Sequence, residues 1–194
     1  MRVGTLLLLP LLAWPLSGLP LSAQPAGRAN TPEARRAEAN RLLDALPSAP
    51  DETAAAALEA RIRILWAQGA TPAVTLLLNR GQRNLQSEAA ADALEDFDAA
   101  LTLQPDYAEA WLLRAQALAA TGDFTAALAD LRQVLVLEPR HFGALAVLSA
   151  LQEQMGDKDG ALRSMQAAVK IHPRKEGAQE RLRTLNRAVR GERI

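Results

Sequence analysis

Two histidines are the side chains in this sequence best suited to metal binding or acid–base catalysis. His141 and His172 lie 31 residues apart, and each stands beside a proline-marked turn. A zinc site in a protein takes three or four ligands, but the chain has no cysteine and no acidic cluster beside either histidine. We therefore expect both histidines to be solvated turn residues.

Four acidic residues close together form a second candidate for acid–base chemistry. They are Asp92, Glu95, Asp96 and Asp98. We expect these carboxylates on the outer face of a helix, where water relieves their mutual repulsion. The sequence also lacks the serine-hydrolase elbow, the phosphate-binding P-loop and the dinucleotide-binding glycine pattern. It therefore predicts a protein without catalytic activity, cofactor or metal.

The composition limits the class of protein further. The 194 residues carry 22 basic and 22 acidic side chains, which gives a formal net charge of +0 at pH 7. This balance excludes a strongly basic nucleic-acid-binding chain and an acidic disordered chain. The length allows one domain or two small ones, and the 49% of hydrophobic residues can build a sizeable core.

The first 23 residues have the pattern of a secretory signal peptide. Arg2 gives a positive start, residues 6–14 form an apolar run, and Ala23 is the small residue that precedes a cleavage point. We expect cleavage after Ala23 and export, most simply to a bacterial periplasm. The alternative is an uncleaved membrane anchor, which three prolines in the segment disfavour because each removes a backbone donor. The mature chain is expected to have no stable membrane span.

A period of 34 residues runs through the rest of the chain. Its markers are Pro105, Pro139 and Pro173, and an Ala-Leu pair twelve residues before each proline, at 93–94, 127–128 and 161–162. Each period contains two stretches with apolar residues at helical spacing. The pattern predicts an all-α chain of repeated helical hairpins. Small residues such as Gly81 and Ala93 are expected where the two helices of a hairpin cross most closely.

The repeat resembles the tetratricopeptide repeat (TPR). Residues 108–141 match best and carry the residues of the family at the expected spacings: Trp111, Ala115, Gly122, Phe124, Ala127 and Pro139. The other two repeats depart from the pattern at Leu77 and Leu145 (in place of an aromatic), at Arg80, Asn84 and Gln152 (in place of apolar residues), and at Glu88 (in place of the turn glycine). The resemblance covers about 102 of 194 residues and implies a helical-hairpin solenoid that binds other proteins.

The expected organisation follows from the repeat and its flanks. It consists of a signal peptide (1–23), a linker (24–30), an N-terminal helical hairpin or cap (31–70), three TPR-like repeats (74–107, 108–141 and 142–175), and a C-terminal capping helix with a tail (176–194). Thr31 and Asp106 are the expected N-caps of the helices that follow them. The Ala-Leu pair at 57–58 falls outside the register, so the N-terminal hairpin is a degenerate repeat or a cap.

The resemblance also implies a concave groove, lined by the first helix of each pair, that receives a peptide or helix of a partner protein. On this pattern the groove residues are Leu78, Asn79 and Gln82 in the first repeat, Leu112, Leu113 and Gln116 in the second, and Ala146, Val147 and Ala150 in the third. They include no basic cluster, so a clamp for the C-terminal carboxylate of a chaperone is not expected. The alternative for Leu112 or Leu113 is packing beneath the neighbouring repeat.

Charge is unevenly distributed along the chain. Residues 85–140 hold ten acids and three bases, whereas residues 163–194 hold nine bases and three acids. The simplest interpretation is a solvated helix face at each end. The alternative is a self-assembling, homo-oligomeric protein in which the acidic middle of one copy meets the basic end of another. We expect a non-catalytic binding protein of the bacterial envelope, with a protein or peptide partner and no nucleic-acid partner.

Overall fold

A computed structural model describes residues 31–191, and within that range the chain forms nine α-helices and no strand. The helices are α1 (Pro32–Ala45), α2 (Glu52–Ala67), α3 (Pro72–Gln86), α4 (Ala90–Leu103), α5 (Ala108–Thr121), α6 (Phe124–Leu137), α7 (Phe142–Gln154), α8 (Lys158–Ile171) and α9 (Ala178–Val189). A single 3-10 turn, Leu46–Ser48, follows α1. The predicted all-α helical-hairpin solenoid is confirmed. The predicted signal peptide and linker lie outside the described residues.

Side chains cap most of the helix starts. The Thr31 hydroxyl accepts a hydrogen bond from the Ala34 amide at 3.2 Å, as the sequence predicted. The prediction that Asp106 caps α5 is wrong, because the chain turns once more after Pro105 and Tyr107 takes the cap position without a side-chain bond.

The turns inside the repeats share one backbone conformation. Gly122 and Gly156 end α5 and α7 with φ angles of +86° and +85°. Glu88, at the equivalent position of the first repeat, has a φ of +63°. A side chain in this left-handed region costs about 1–2 kcal/mol. The first repeat therefore keeps the left-handed turn although Glu88 replaces the glycine.

Each hairpin is closed around small residues. Gly81 of α3 faces the ring of Phe97 of α4, which is fully buried. In the later repeats, Ala115 and Ser149 take the place of Gly81, and both are buried. The Ser149 hydroxyl donates a hydrogen bond to the Ala161 carbonyl at 2.7 Å, so this hydroxyl is satisfied inside the core.

Polar side chains join the two helices of each of the three repeats. Arg114 of α5 donates two hydrogen bonds to the Asp130 carboxylate of α6, at 2.7 and 2.8 Å. The equivalent pair in the first repeat is Arg80 with Asp96, to which Asn84 also donates. In the third repeat Ser164, at the position of Asp96, donates to Gln152, at the position of Asn84. These contacts explain the polar residues that replace apolar ones at positions 80, 84 and 152.

The expectation that the acidic cluster of α4 lies on an outer, solvated face is therefore wrong for Asp96. Asp96 is buried, and the guanidinium of Arg80 compensates its charge. Asp92, Glu95 and Asp98 are exposed, as expected. Asp98 also accepts a hydrogen bond from Arg114 of the next hairpin at 2.6 Å.

The N-terminal hairpin of α1 and α2 does not stack on α3. Its buried residues Leu43, Leu46 and Ile62 form one cluster with Phe142, at the start of α7. Polar contacts tie it to the loops between repeats: Arg140 donates to Asp44 and Asn40, and Arg174 donates to the Ala49 carbonyl at 2.6 Å. The hairpin thus lies along the edge of the solenoid where these loops gather.

The last helix covers the end of the third repeat. Ala178 and Leu185 of α9 are buried against Ala161 and Met165 of α8, whereas Val189 at the end of the helix is exposed. Within residues 31–191, none of the helices combines the length and the apolar character needed to cross a bilayer.

The close approach at Gly81 predicts the sign of the change in unfolding free energy when this glycine is replaced by alanine. A Cβ atom at Gly81 would lie 2.5 Å from Cε1 of Phe97. We therefore expect Gly81→Ala to lower the free energy of unfolding by about 1–3 kcal/mol through overpacking. Alanine normally stabilises a helix interior relative to glycine by about 1 kcal/mol. Chemical denaturation measures the change, and a stabilised variant would show that the two helices do not meet there.

Candidate functional site

A cleft of about 500 Å³ opens on the inner side of the solenoid. Its floor is formed by α3, α5 and α7, the first helices of the three repeats, and one wall is formed by α2 of the N-terminal hairpin. The loop residues Tyr107, His141 and Lys175 close the side between floor and wall. We call this space the inner cleft. Its volume lies within the range of about 300–1,000 Å³ that is usual for ligand sites.

The inner cleft brings together eight of the nine residues predicted to line the groove. They are Leu78, Asn79, Gln82, Leu112, Leu113, Gln116, Ala146 and Val147. Ala150 is exposed on α7 but is not among the lining residues, because it lies one turn beyond Ala146 and Val147, towards the end of the helix. The 34-residue register therefore predicts most of the floor.

The floor residues differ in their access to a ligand. Leu78 and Leu112 are buried and belong to two hydrophobic clusters of the solenoid, so the alternative of packing within the repeats holds for Leu112. Asn79, Gln82 and Ala146 are exposed. A bound segment would therefore meet amide groups and small side chains directly, with the leucines supplying an apolar base.

The wall of the inner cleft depends on an aromatic stack. The rings of Trp66 on α2 and His141 before α7 lie 4.3 Å apart, with an angle of 17° between their planes. His141 is fixed on both sides, because its Nδ1 accepts from the Ala144 amide at 3.0 Å and its Nε2 lies 3.1 Å from the Glu109 carboxylate. Since Nδ1 is an acceptor, the Nε2 proton is donated to Glu109.

Both histidines are buried, so the expectation of solvated turn residues is wrong. His172 lies 3.0 Å from Glu59 of α2 through its Nε2, and its ring meets the ring of Phe142 edge-on at 5.3 Å. The reason is the position of the N-terminal hairpin, which covers the loops that carry His141 and His172. Sequence separation of more than a hundred residues between Glu59 and His172 hides this contact from any local pattern.

Glu59 is the main charged contact between hairpin and solenoid. Its carboxylate accepts from Lys175 at 2.9 Å and from Arg63 at 2.7 Å, in addition to His172. Burial alone would raise the pKa of Glu59, but the hydrogen bonds from Lys175 and His172 outweigh it and hold this pKa below its ordinary value of 4.5. The ionised carboxylate therefore favours the docked hairpin.

Two basic side chains at the inner cleft were not predicted. Arg63 comes from α2 and Lys175 from the loop before α9, and neither position belongs to the first helices on which the sequence argument relied. Both bind the carboxylate of Glu59, which balances one of their two positive charges. Aromatic residues just before or inside the first turn of the repeats, such as Tyr107 and Phe142, are the signal that could have located this side of the site.

The described residues carry no cluster suited to a metal. Within residues 31–191, there is no group of three or more histidine, cysteine, aspartate or glutamate side chains that could hold an ion. The geometry of the inner cleft supports non-covalent binding of a segment with apolar and hydrogen-bonding groups.

Comparison with protein families identifies the repeat. The family model described as tetratricopeptide repeat matches residues 78–140 and 114–176, which together span just over half of the chain. The chain belongs to the tetratricopeptide repeat family. A comparison with curated protein sequences gives no match.

Solved structures with the same fold cover more of the chain than the family model does. The Sgt2 TPR domain from Aspergillus fumigatus is 21% identical, with a TM-score of 0.59 over 62% of this chain and 82% of that one. The first TPR domain of Spaghetti (RPAP3), bound to the HSP90 peptide SRMEEVD, is 16% identical, with a TM-score of 0.58 over 61% and 94%. The type III secretion translocator chaperone SycD from Yersinia enterocolitica is 15% identical, with a TM-score of 0.58 over 64% and 98%. At these identities the likeness concerns the fold.

Removing the carboxylate of Glu59 should loosen the N-terminal hairpin. We expect Glu59→Gln to weaken docking by roughly 1.5–3 kcal/mol, the range for hydrogen bonds to charged groups. Amide hydrogen exchange should then rise in α1 and α2 and stay unchanged in α4 to α8. The matched control is Glu38→Gln, which removes the exposed ion pair with Arg61 inside the hairpin and should cost no more than about 1 kcal/mol.

Acidic pH should weaken docking of the N-terminal hairpin in the wild-type protein, as Glu59→Gln should at neutral pH. Because the pKa of Glu59 is lower in the folded state, its stabilising contribution is complete above about pH 4.5 and is lost as the pH falls through the folded-state pKa. Exchange in α1 and α2 should therefore increase in this acidic window, and less so in the Glu59→Gln variant. Equal pH dependence in both proteins would contradict this role of Glu59.

Proposed function

We propose that this protein is a non-catalytic interaction scaffold whose inner cleft binds a short segment of a partner protein. The observation that carries the proposal is the convergence of exposed amides and small side chains from α3, α5 and α7 on one preformed cleft. Because the helices already hold this surface in place, little ordering entropy is lost by the scaffold on binding. Solved relatives of the same fold with bound HSP90 and Hsp70 peptides support this class of function.

The shape of the inner cleft favours an extended segment over a helix. The floor runs across three helices, α3, α5 and α7, and α2 forms a wall beside it. An extended chain advances about 3.3 Å per residue, against about 1.5 Å in a helix, so it crosses the floor with fewer residues.

The chemistry of the lining favours an uncharged segment. Asn79, Gln82 and Gln116 offer donors and acceptors to a peptide backbone, while Leu113 and Val147 offer apolar contacts. Arg63 and Lys175 are engaged with Glu59. A ligand with a free carboxylate would have to compete with this internal ion pair.

A negative charge on the floor of the inner cleft should weaken the binding of an uncharged segment, because the segment would have to displace water from a charged group. Peptides selected from an arrayed library on the wild-type protein are expected to be uncharged, and Ala146→Glu should weaken their binding at least about tenfold, or 1.4 kcal/mol. Ala129→Glu is the matched control, since Ala129 is an exposed alanine of α6 that does not line the cleft. Fluorescence anisotropy measures both variants. Equal loss in both, or in neither, would place the binding site elsewhere.

The proposed place of action is the bacterial cell envelope, reached by export with removal of the first 23 residues. The basis is the order of Arg2, the apolar run 6–14 and Ala23. Mass spectrometry of the protein recovered from the envelope should give a chain that begins at Gln24. A chain that begins at Met1 would contradict cleavage and favour retention as an anchor.

A further inference from the structure

The outer face of α3 is exposed where every equivalent helix face is buried. This face comprises Leu76, Arg80 and Arg83. The residues at successive 34-residue steps from Leu76 are Ala110, Ala144 and Ala178, and those from Arg83 are Ala117, Leu151 and Leu185. All six are buried, on α5, α7 and α9, in clusters with residues of the preceding helices α4, α6 and α8. Leu76 is 71% exposed.

The cause is the position of the N-terminal hairpin. In a regular solenoid the helix before α3 would pack on its outer face. Here α2 packs instead with Phe142 and the loops between repeats, so within residues 31–191 nothing takes this place on α3. A single exposed leucine is common on protein surfaces, but the counterparts of Leu76 in the later repeats are all buried by the preceding helix, so among the described helices α3 lacks the covering that the other stacking faces have.

A comparison of Arg80 with Arg114 shows which chemistry is absent from this face. Arg114 binds Asp130 of its own hairpin and Asp98 of the preceding helix, and its side chain is 23% exposed. Arg80 binds Asp96 of its own hairpin in the same way, but in the described part of the chain it has no ion pair with a preceding helix, and its side chain is 63% exposed. The helix that fits this face therefore carries carboxylates.

The neighbouring helix α4 displays such carboxylates at the same end of the solenoid. Asp92 and Glu95 are exposed. The pKa of Arg80 is raised, chiefly by its hydrogen bond to Asp96 and to a smaller extent by the charge of Glu95, which places Glu95 near Arg80. By contrast, the exposed faces of α2 and α9 carry arginines, for example Arg61 and Arg183, and would repel Arg80 and Arg83.

We propose that the first repeat is a homodimerisation surface, on which α3 of one copy packs against α4 of a second copy around a two-fold axis. Leu76 lies in the apolar part of this surface, and Arg80 and Arg83 of each copy face Asp92 and Glu95 of the other. A surface that holds both charges can pair with itself in this way, because a two-fold axis forms every contact twice. None of Leu76, Arg80 and Arg83 lines the inner cleft.

Sedimentation velocity over a dilution series of the purified chain tests this proposal. The wild-type chain should show a reversible monomer–dimer equilibrium that weakens with added salt, because the charge pairs are exposed. Leu76→Asp should raise the dissociation constant at least about tenfold. Val136→Asp is the matched control, since Val136 is 72% exposed on α6, and it should leave the equilibrium unchanged. Circular dichroism confirms that both variants are folded.

Charge reversal gives a second test that does not depend on Leu76. Arg83→Glu should weaken the dimer, and so should the double variant Asp92→Lys with Glu95→Lys, because each places like charges opposite one another. An equimolar mixture of these two proteins should associate better than either protein alone. One contact of the heterodimer keeps the wild-type pairs, and in the other the introduced glutamate meets the introduced lysines, so that only Arg80 of one chain faces a like charge. A wild-type chain that is monomeric throughout, or a mixture that does not associate better than its components, would overturn the proposal.

Discussion

The helices of this protein approach one another at small residues that recur every 34 positions, and the rest of the structure depends on this spacing. Where Gly81, Ala115 and Ser149 lie, the paired helix comes close enough to bring Arg80 within reach of Asp96, and Arg114 within reach of Asp130. The same approach sets the separation of α3, α5 and α7 that forms the floor of the inner cleft. The packing at these small residues therefore determines both the ion pairs with the buried aspartates and the shape of the inner cleft.

The repeat and its floor could be predicted because they follow from local periodicity. A fixed register carries each position of one hairpin onto the next, so a groove residue in one repeat identifies its counterparts at steps of 34. The register predicted eight lining residues and failed at Ala150, which lies one turn beyond the last lining residue of α7. It also led us to place Asp96 in solvent, since an isolated helix pattern does not reveal that an arginine partner lies sixteen residues earlier.

The second wall of the site could not be predicted, because it is a non-local arrangement. The contacts of the N-terminal hairpin join Asp44 to Arg140, Ala49 to Arg174 and Glu59 to Lys175. None of these pairs shares a periodic pattern, and each consists of ordinary surface residue types. The fold of the repeats can therefore be predicted from the sequence. The side chains that close the cleft and bury both histidines can be identified only from the structure.

Docking of the N-terminal hairpin onto the solenoid also sets the order in which parts of the protein fold. Each repeat closes through contacts between residues about a dozen to sixteen positions apart, which form quickly once the segment exists. The contacts of the N-terminal hairpin with the solenoid span up to 125 residues and require the loop at 172–175. During synthesis, the floor can therefore assemble repeat by repeat, while its wall is completed only after residues 172–175 have been made. A partner segment meets the complete cleft only after that point.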